Sequence, residues 1–226
     1  MAVASRDDST LAKPEPRRRF RGVDADERQN QRRQRLLEAG IELFGARGFH
    51  AVGVRDICQQ AKLTERYFYE SFKNREALFV AVYEQAVERL RGAILEALGR
   101  APSHDGLALA KAGLRATLEM YRADPRLARI LLVEVLTASI GEAPRAAGRT
   151  YAELIEQLIR ELHPDAEQRG TNVRFIATGL YGSTLLIATR WALDGYREPL
   201  EVVLDHCARF YESLIHDAER RAASQP

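Results

Sequence analysis

The chain has 226 residues, enough for one large or two small domains that bury a substantial core. Its 46% hydrophobic and 29% charged content is typical of a globular protein and argues against a disordered or fibrous one. No apolar run reaches the roughly 18 residues of a membrane span, and the N-terminus lacks the apolar segment of a secretory signal. We therefore expect a cytoplasmic protein that does not contact a membrane.

Cysteine usage and charge distribution add two expectations. Cys58 and Cys207 are too few for a disulfide framework, which fits a reducing cytoplasm, and each is interpreted as a small buried helix residue rather than a redox sensor. The net charge is only +2, yet residues 1–80 hold 16 Lys and Arg against 12 Asp and Glu. This asymmetry has the sign expected for a basic nucleic-acid-binding head on a neutral body.

Residues 1–27 are polar, contain two prolines and show no hydrophobic period, which predicts a disordered basic arm. Such an arm either lies along DNA phosphates and the minor groove or remains a solvated tail, and the sequence leaves both alternatives open. Its basic cluster consists of Arg17, Arg18, Arg19 and Arg21.

Three helices are predicted next, within residues 28–78. The first runs from about Asn30 to Ala46 and ends at Gly48, which suits a left-handed C-cap. Apolar residues at helical spacing then predict a short second helix from Val54 that breaks at Lys62. Thr64 is a good N-cap for a third helix, whose Phe68 and Phe72 share one face. A short helix, a turn and a second helix with a polar, aromatic outer face is the helix-turn-helix pattern, although periodicity alone also fits helical domains that bind no DNA.

This region resembles the DNA-binding domain of TetR-family transcriptional regulators. The resemblance covers about residues 33–84 and rests on LLEAGIELFGARGF, VRDI, the Leu63-Thr64 turn, YFYESF and NREAL. It implies an all-α fold with an N-terminal helix-turn-helix domain at 28–78 and a helical effector-binding and dimerisation domain at 79–226. It also implies double-stranded operator DNA as a partner, contacted through eight positions: Arg55, Thr64, Glu65, Arg66, Tyr67, Tyr69, Lys73 and Arg75.

Three residues depart from the family pattern. Gly53 stands where Ser or Thr usually caps the second helix, and Lys62 replaces the usual turn glycine. Lys62 must therefore adopt an unusual dihedral, or the turn must differ. Glu65 repels phosphate but can accept a hydrogen bond from cytosine N4. These departures bear on base preference rather than on the docking mode.

The remainder of the chain reads as helix throughout. A fourth helix begins at Asn74 and runs to about Gly99, and the linker 99–106 follows. Breaks at Asp124-Pro125, Gly141, His163-Pro164 and Gly195–Pro199 separate further helices. We expect these at about 106–123, 126–139, 144–162, 171–194 and 199–218.

The last two helices are predicted to form a homodimer. In TetR-like proteins the equivalent pair from each subunit builds a four-helix bundle, and palindromic recognition needs two heads at a fixed spacing. The alternative is that their apolar stripes bury only the monomer's own core. The expected interface residues are Phe175, Gly179, Gly182, Leu186, Val203, Cys207, Phe210 and Leu214.

A small-molecule cavity is implied among the helices from 106 to 194. Polar residues interrupt their apolar faces, as a binding site for a hydrophobic effector requires, although each is also compatible with an ordinary surface group. The expected lining residues are Thr117, Tyr121, Glu134, Thr137, Ser183, Arg190 and Trp191.

No catalytic or metal-binding motif is present, and we expect neither an enzyme nor a cofactor. The sequence predicts a ligand-responsive regulator, most simply a repressor that binds palindromic operator DNA as a homodimer. Two alternatives stay open: an all-α enzyme acting on a hydrophobic small molecule, and a dimeric protein-interaction module.

Overall fold

The computed structural model describes residues 18–102, 105–135 and 143–223, with side chains over 25–102, 105–135 and 151–213. These parts of the chain are helical and contain no β-strand, which confirms the all-α prediction. None of the described helices is long and apolar enough to cross a membrane. The helices are α1 (Arg18–Arg47), α2 (Val54–Ala61), α3 (Glu65–Ser71), α4 (Arg75–Gly99), α5 (Gly106–Ala123), α6 (Pro125–Arg129), α7 (Ala143–Leu162), α8 (Val173–Leu193) and α9 (Leu200–Ala223).

The first helix is longer than predicted. It begins at Arg18 rather than near Asn30, so residues 18–27, which we predict to be part of a disordered arm, are helical in the structure, while residues 1–17 lie outside the described chain. The extension carries no apolar stripe, but most of its residues are good helix formers and it contains no proline. Adding such residues to an existing helix avoids the cost of nucleation, so a helix can continue without burying anything.

Helices α1 to α4 pack around a shared apolar core. Leu36 and Phe44 of α1, Ile57 of α2, Phe68 of α3 and Leu78 of α4 are all completely buried. Asn74 begins α4 as predicted, because its Oδ1 accepts a hydrogen bond from the N–H of Ala77 at 2.8 Å. These helices form an N-terminal unit, the head, and the 25-residue α4 leaves it to join the rest of the molecule.

The turn between α2 and α3 is closed by Lys62 in the left-handed conformation, with φ 53° and ψ 47°. Of the two alternatives for this position, the unusual dihedral is the one observed. The N–H of Leu63 donates to the carbonyl of Cys58 at 2.9 Å and so completes the turn. The guanidinium of Arg35 on α1 donates to the carbonyls of Ala61 and Lys62, which fixes the turn against the first helix.

Phe49 joins the head to the body. Its ring packs against Phe44 and Phe79, with centroid distances of 5.7 and 5.0 Å. The preceding Gly48 has φ 84°, as its predicted C-cap role requires, but its ψ of 158° is extended rather than left-handed helical. The backbone therefore turns sharply after α1 and presents Phe49 to both domains.

The body is built from α4, α5, α7, α8 and α9. Helix α4 packs along α5, α9 packs along α5, and α7 packs along α8. Where we predicted one helix at 126–139, the structure has α6 followed by a π-helical turn at Ile130–Glu134, and residues 136–142 lie outside the described chain. The other four predicted body helices agree with α5, α7, α8 and α9 to within two residues, except that α9 continues to Ala223.

Candidate nucleic-acid interface and effector cavity

Helix α3 presents almost its whole outer surface to solvent. Phe68 is its one buried residue, and Tyr69 is 56% exposed. Thr64 begins the helix, but its hydroxyl makes no capping hydrogen bond, contrary to the sequence expectation. The hydroxyl is therefore available to a partner outside the chain, as are the phenol groups of Tyr67 and Tyr69.

The charged side chains on this surface pair with one another. Nε of Arg55 lies 3.3 Å from Oε1 of Glu65, and Nε of Arg66 lies 3.0 Å from Oε1 of Glu70. The two arginine side chains are 93% and 84% exposed, so these surface pairs are weak and break at little cost when a phosphate competes. Six of the eight expected contact positions thus lie exposed together around α3, namely Arg55, Thr64, Glu65, Arg66, Tyr67 and Tyr69.

Lys73 is exposed beside the start of α4, whereas Arg75 is only partly exposed and contacts other residues of the head. Its guanidinium lies 4.2 Å from the centroid of the Phe49 ring, and Nη1 donates to the carbonyl of Val52 at 3.0 Å. The arginine side chain is only 26% exposed. We therefore interpret Arg75 as a residue that holds the head together, which the sequence alone did not indicate.

Three arginines of α1 also shape this surface. The guanidinium of Arg32 lies 4.6 Å from the centroid of the Tyr67 ring, and that of Arg33 lies 4.5 Å from the Phe72 ring. Arg32 thus packs on an outer tyrosine, Arg33 on a buried phenylalanine, and Arg35 bonds the turn between α2 and α3. Sequence patterns do not reveal these contacts, because each crosses more than 25 residues of chain.

A long apolar cavity runs through the body. Tyr83 and Leu98 of α4 both line it, so its ends lie about 22 Å apart along that helix at 1.5 Å per residue. Among the described residues no Lys, Arg, Asp or Glu lines it. The apolar lining includes Leu90, Ile94, Leu109, Leu114, Leu131, Leu154, Ile155, Leu158, Ile159, Leu162, Ile176, Leu180 and Leu185, and the polar lining comprises Tyr83, Thr117, Tyr121, Tyr151, His163, Thr171, Tyr181, Thr184 and Tyr211.

Tyrosines gather at the end of the cavity nearest the head. The rings of Tyr151 and Tyr181 stack with centroids 6.1 Å apart. Burial raises the pKa of Tyr83 and Tyr121 well above the usual value, and nearby tyrosines raise both further. Burial likewise raises the pKa of Tyr151 and Tyr181. All four phenols therefore stay protonated and neutral at physiological pH.

Only some of the residues predicted to line the cavity do so. Thr117 and Tyr121 line the cavity, whereas Glu134, Ser183, Arg190 and Trp191 do not, and Thr137 lies outside the described chain. Three of the residues that do not line the cavity have partners nearby in the chain. Arg190 is exposed and pairs with Asp194, and the Ser183 hydroxyl donates to the carbonyl of Leu180. The indole N–H of Trp191 donates to the carbonyl of Glu198.

Glu134 belongs to the contact between head and body. It is only 4% exposed; Oε2 accepts from the N–H of Phe49 at 2.8 Å, and Oε1 lies 2.8 Å from Nε of Arg129. Arg129 also donates to the carbonyl of Ala46 at the end of α1, and Arg126 pairs with Glu42 on the same helix. The π-helical turn that carries Glu134 also places Leu131 in the cavity wall, so the cavity and the head share one element.

Some of the predicted dimer residues on the last two helices are exposed, and others are buried inside the monomer. Phe175 and Leu186 are 74% and 69% exposed, Phe210 is 49% exposed, and a Cβ at Gly179 or Gly182 would meet no atom within 4 Å. Val203 and Cys207 instead lie buried in the monomer's own core, as the alternative interpretation held for them. The side chain of Leu214 lies outside the described part of the chain. Phe175, Gly179, Gly182 and Leu186 of α8 are three or four residues apart, and Leu193 follows Leu186 after seven. At this helical spacing they form one apolar face.

Comparison with known proteins points to one family. Residues 36–82 match the model of the bacterial regulatory proteins, tetR family. The chain is 24% identical over 164 residues to the HTH-type transcriptional activator FasR of Mycolicibacterium smegmatis, covering 72% of this chain and 73% of that protein. It is 21% identical over 189 residues to the fatty acid metabolism regulator protein of Bacillus subtilis, covering 80% and 94%.

A solved structure extends the likeness to the fold of the body. The transcriptional regulator FadR of Bacillus subtilis in complex with stearoyl-CoA superposes with a TM-score of 0.68 at 15% identity, covering 78% of this chain and 95% of that one. The shared fold therefore includes the body helices as well as the head.

Proposed function

We propose that this chain, whose helix-turn-helix region matches the tetR family, is a ligand-responsive, DNA-binding regulator of transcription of that family. In this proposal it is a homodimeric repressor that a long-chain acyl effector releases from palindromic operator DNA. The observation that carries the proposal is the long, apolar, uncharged cavity whose wall includes the turn that holds the head. Acyl effectors are also suggested by the similarity to the fatty acid metabolism regulator protein of Bacillus subtilis and to the structure of Bacillus subtilis FadR in complex with stearoyl-CoA.

The proposed coupling runs through the contact between head and body. An acyl chain that fills the cavity presses on Leu131 of the π-helical turn and on Tyr121 at the end of α5. Both positions are close in sequence to Arg126 and Arg129, which bond α1, and to Glu134, which bonds the N–H of Phe49 just after α1. A shift of this turn therefore tilts the head, and the effector acts by binding the tilted state more tightly.

In the proposed complex, α3 enters the major groove. Tyr67 and Tyr69 offer rigid hydroxyl donors to phosphate, and Arg55 and Arg66 fork onto phosphate or guanine. Lys73 adds a phosphate contact beside α4. Two such heads, held by the exposed apolar face of α8 and α9 in a second copy, would read the two halves of a palindrome.

Selection of bound duplexes from a random DNA pool, followed by mobility shift with stearoyl-CoA, tests the proposal. We expect a palindrome, and a retarded complex that dissociates as stearoyl-CoA is added. Selected sequences without two-fold symmetry would contradict the dimer, and a complex that saturating stearoyl-CoA leaves intact would contradict release. A ternary complex that recruits polymerase would make the protein an activator, as the relative FasR is named.

Two substitutions separate contact from folding in the same assay. Arg66→Ala removes an exposed side chain, so we expect weaker DNA binding, a shallower salt dependence and an unchanged melting temperature. Arg75→Ala removes the bond to Val52 and the contact with Phe49, so we expect it to lower the free energy of unfolding by about 1–2 kcal/mol. The reverse pattern of melting temperatures would show that the two residues have been assigned the wrong roles.

A further inference from the structure

The tyrosine end of the cavity contains more hydrogen-bonding groups than an all-carbon ligand can use. The hydroxyl of Tyr151 donates to the carbonyl of Val87 at 2.8 Å. The hydroxyls of Tyr83, Tyr121 and Tyr181 line the same cavity, and none of them makes a hydrogen bond to another described residue. Tyr83 and Tyr121 are nearly completely buried and Tyr181 is half-buried, and their hydroxyls open onto the cavity rather than being sealed inside the protein. A polar group of a ligand in the cavity can therefore satisfy them.

Tyr83, Tyr121 and Tyr181 come from α4, α5 and α8 and line one cavity. The ring of Tyr181 stacks on that of Tyr151, whose hydroxyl bonds the carbonyl of Val87, one helical turn from Tyr83 on α4. Tyr121 belongs to the same cluster, since Tyr83 and Tyr181 both contribute to the raised pKa of its phenol. Because each stays protonated, each acts as a donor towards the cavity. Among the described residues the cavity wall offers no cation here, so an anionic group would lose its hydration without gaining a counter-charge.

We propose that this tyrosine end is a subsite for an uncharged oxygen at the inner end of the effector chain, a hydroxyl or a ketone. The ligand class is then an ω-oxygenated long-chain acyl group rather than a plain saturated one. An apolar chain end would leave the three hydroxyls without ligand partners, whereas a ligand oxygen accepts from up to two of them and a ligand hydroxyl also donates to the third. Sites of this kind discriminate strongly against the analogue that lacks the group. This inference rests on the proposed function and names its ligand more closely.

The opposite end of the cavity suits the rest of such a ligand. Gly106, His163 and Thr171 line it, and they lie in or beside the loops between the body helices, where they are partly exposed. A chain that enters there reaches the tyrosines only with its far end, because the two ends are separated by most of the length of α4.

Binding of three acyl-CoA probes to the full chain tests the subsite by titration calorimetry. We expect ω-hydroxystearoyl-CoA to bind about tenfold or more tightly than stearoyl-CoA, and ω-carboxystearoyl-CoA to bind more weakly than the hydroxylated probe. Equal affinity for the plain and hydroxylated chains would overturn the subsite while leaving an acyl effector in place. If no probe binds, the proposed function fails as well, so the two failures are distinguishable.

Conservative variants assign any preference to the tyrosines. Tyr83→Phe and Tyr181→Phe each remove one hydroxyl and keep the ring, so we expect the preference for the hydroxylated chain to fall severalfold while affinity for stearoyl-CoA is retained. Tyr196→Phe is the matched control, since its hydroxyl donates to the carbonyl of Tyr121 and does not line the cavity. A preference that survives both cavity variants, or that Tyr196→Phe removes equally, would refute the assignment; circular dichroism melting curves show that each variant is folded.

Discussion

At the scale of single residues, some side chains of the head form hydrogen bonds with free backbone groups, and one residue holds its backbone in an unfavourable conformation. Arg35 covers the carbonyls at the end of α2, and Asn74 caps α4. Lys62 does the opposite, because a residue with a Cβ is held at φ 53° where glycine is the usual choice. The turn therefore carries strain that the surrounding bonds, including those of Arg35 and Leu63, must hold in place.

Replacement of Lys62 tests this strain. Lys62→Gly removes the steric cost of the left-handed conformation, whereas Lys62→Ala removes the same charge and keeps the Cβ. We expect the glycine variant to exceed the alanine variant by about 0.5–1 kcal/mol in the free energy of unfolding, measured by urea denaturation with an unchanged m value. Equal stability of the two variants would mean that the turn relaxes without strain.

At the scale of elements, the first helix and α6 approach so closely that only a glycine fits between them. A Cβ at Gly45 would lie 2.7 Å from the Cα and 2.9 Å from the carbonyl oxygen of Arg126, besides meeting its Cβ. Backbone atoms cannot rotate away as a flexible side chain can. This contact brings Arg126 and Arg129 within reach of α1, and so determines how the head is attached to the body.

Gly45→Ala should therefore force α1 and α6 apart. We expect a loss of about 1–3 kcal/mol in the free energy of unfolding, measured by thermal or urea denaturation. Gly92→Ala is the matched control, since a Cβ there meets nothing within 4 Å and alanine favours the interior of α4 by up to about 1 kcal/mol. If Gly45→Ala left the free energy of unfolding unchanged, α1 and α6 would have to separate easily. Their contact could then transmit little movement from the cavity to the head.

At the scale of the whole molecule, the exposed apolar face of α8 and α9 is the feature that a monomer does not explain. Phe175, Leu186, Leu193 and Phe210 are large and at least 49% exposed, and Gly179 and Gly182 lie between the first two. Small residues between large ones allow a second helix to approach closely. A large exposed apolar face marks an interaction site, which supports the proposed dimer.

Leu186→Glu tests the dimer, because it places a charge in the middle of this face. We expect the dimer dissociation constant to rise about thirtyfold or more, measured by analytical ultracentrifugation, together with loss of palindrome binding. Leu95→Glu is the control, since Leu95 is 40% exposed on α4, outside that face. A variant of Leu186 that dimerises as tightly as the unaltered chain would place the interface elsewhere.

The accuracy of the sequence predictions depended on the range of the interactions involved. Helix bounds within the body were predicted to within a few residues, because proline, glycine and capping residues act locally on the chain. Exposure of Tyr67, Tyr69 and Arg66 also followed from helical periodicity, since Phe68 and Phe72 fix the buried face. The roles of Arg75 and Glu134 could not be predicted, because their partners Val52 and Phe49 lie far away along the chain.

The all-α class, the order of the helices and the outward-facing residues of the third helix follow from the chain alone, because periodicity and capping are properties of neighbouring residues. The fold had to be known before it was clear which polar groups face the cavity, which helix residues stay uncovered and how Glu134 bonds the backbone of Phe49. Those outcomes depend on which surfaces of distant helices meet, and a contact between residues 85 positions apart leaves no periodic trace in the chain.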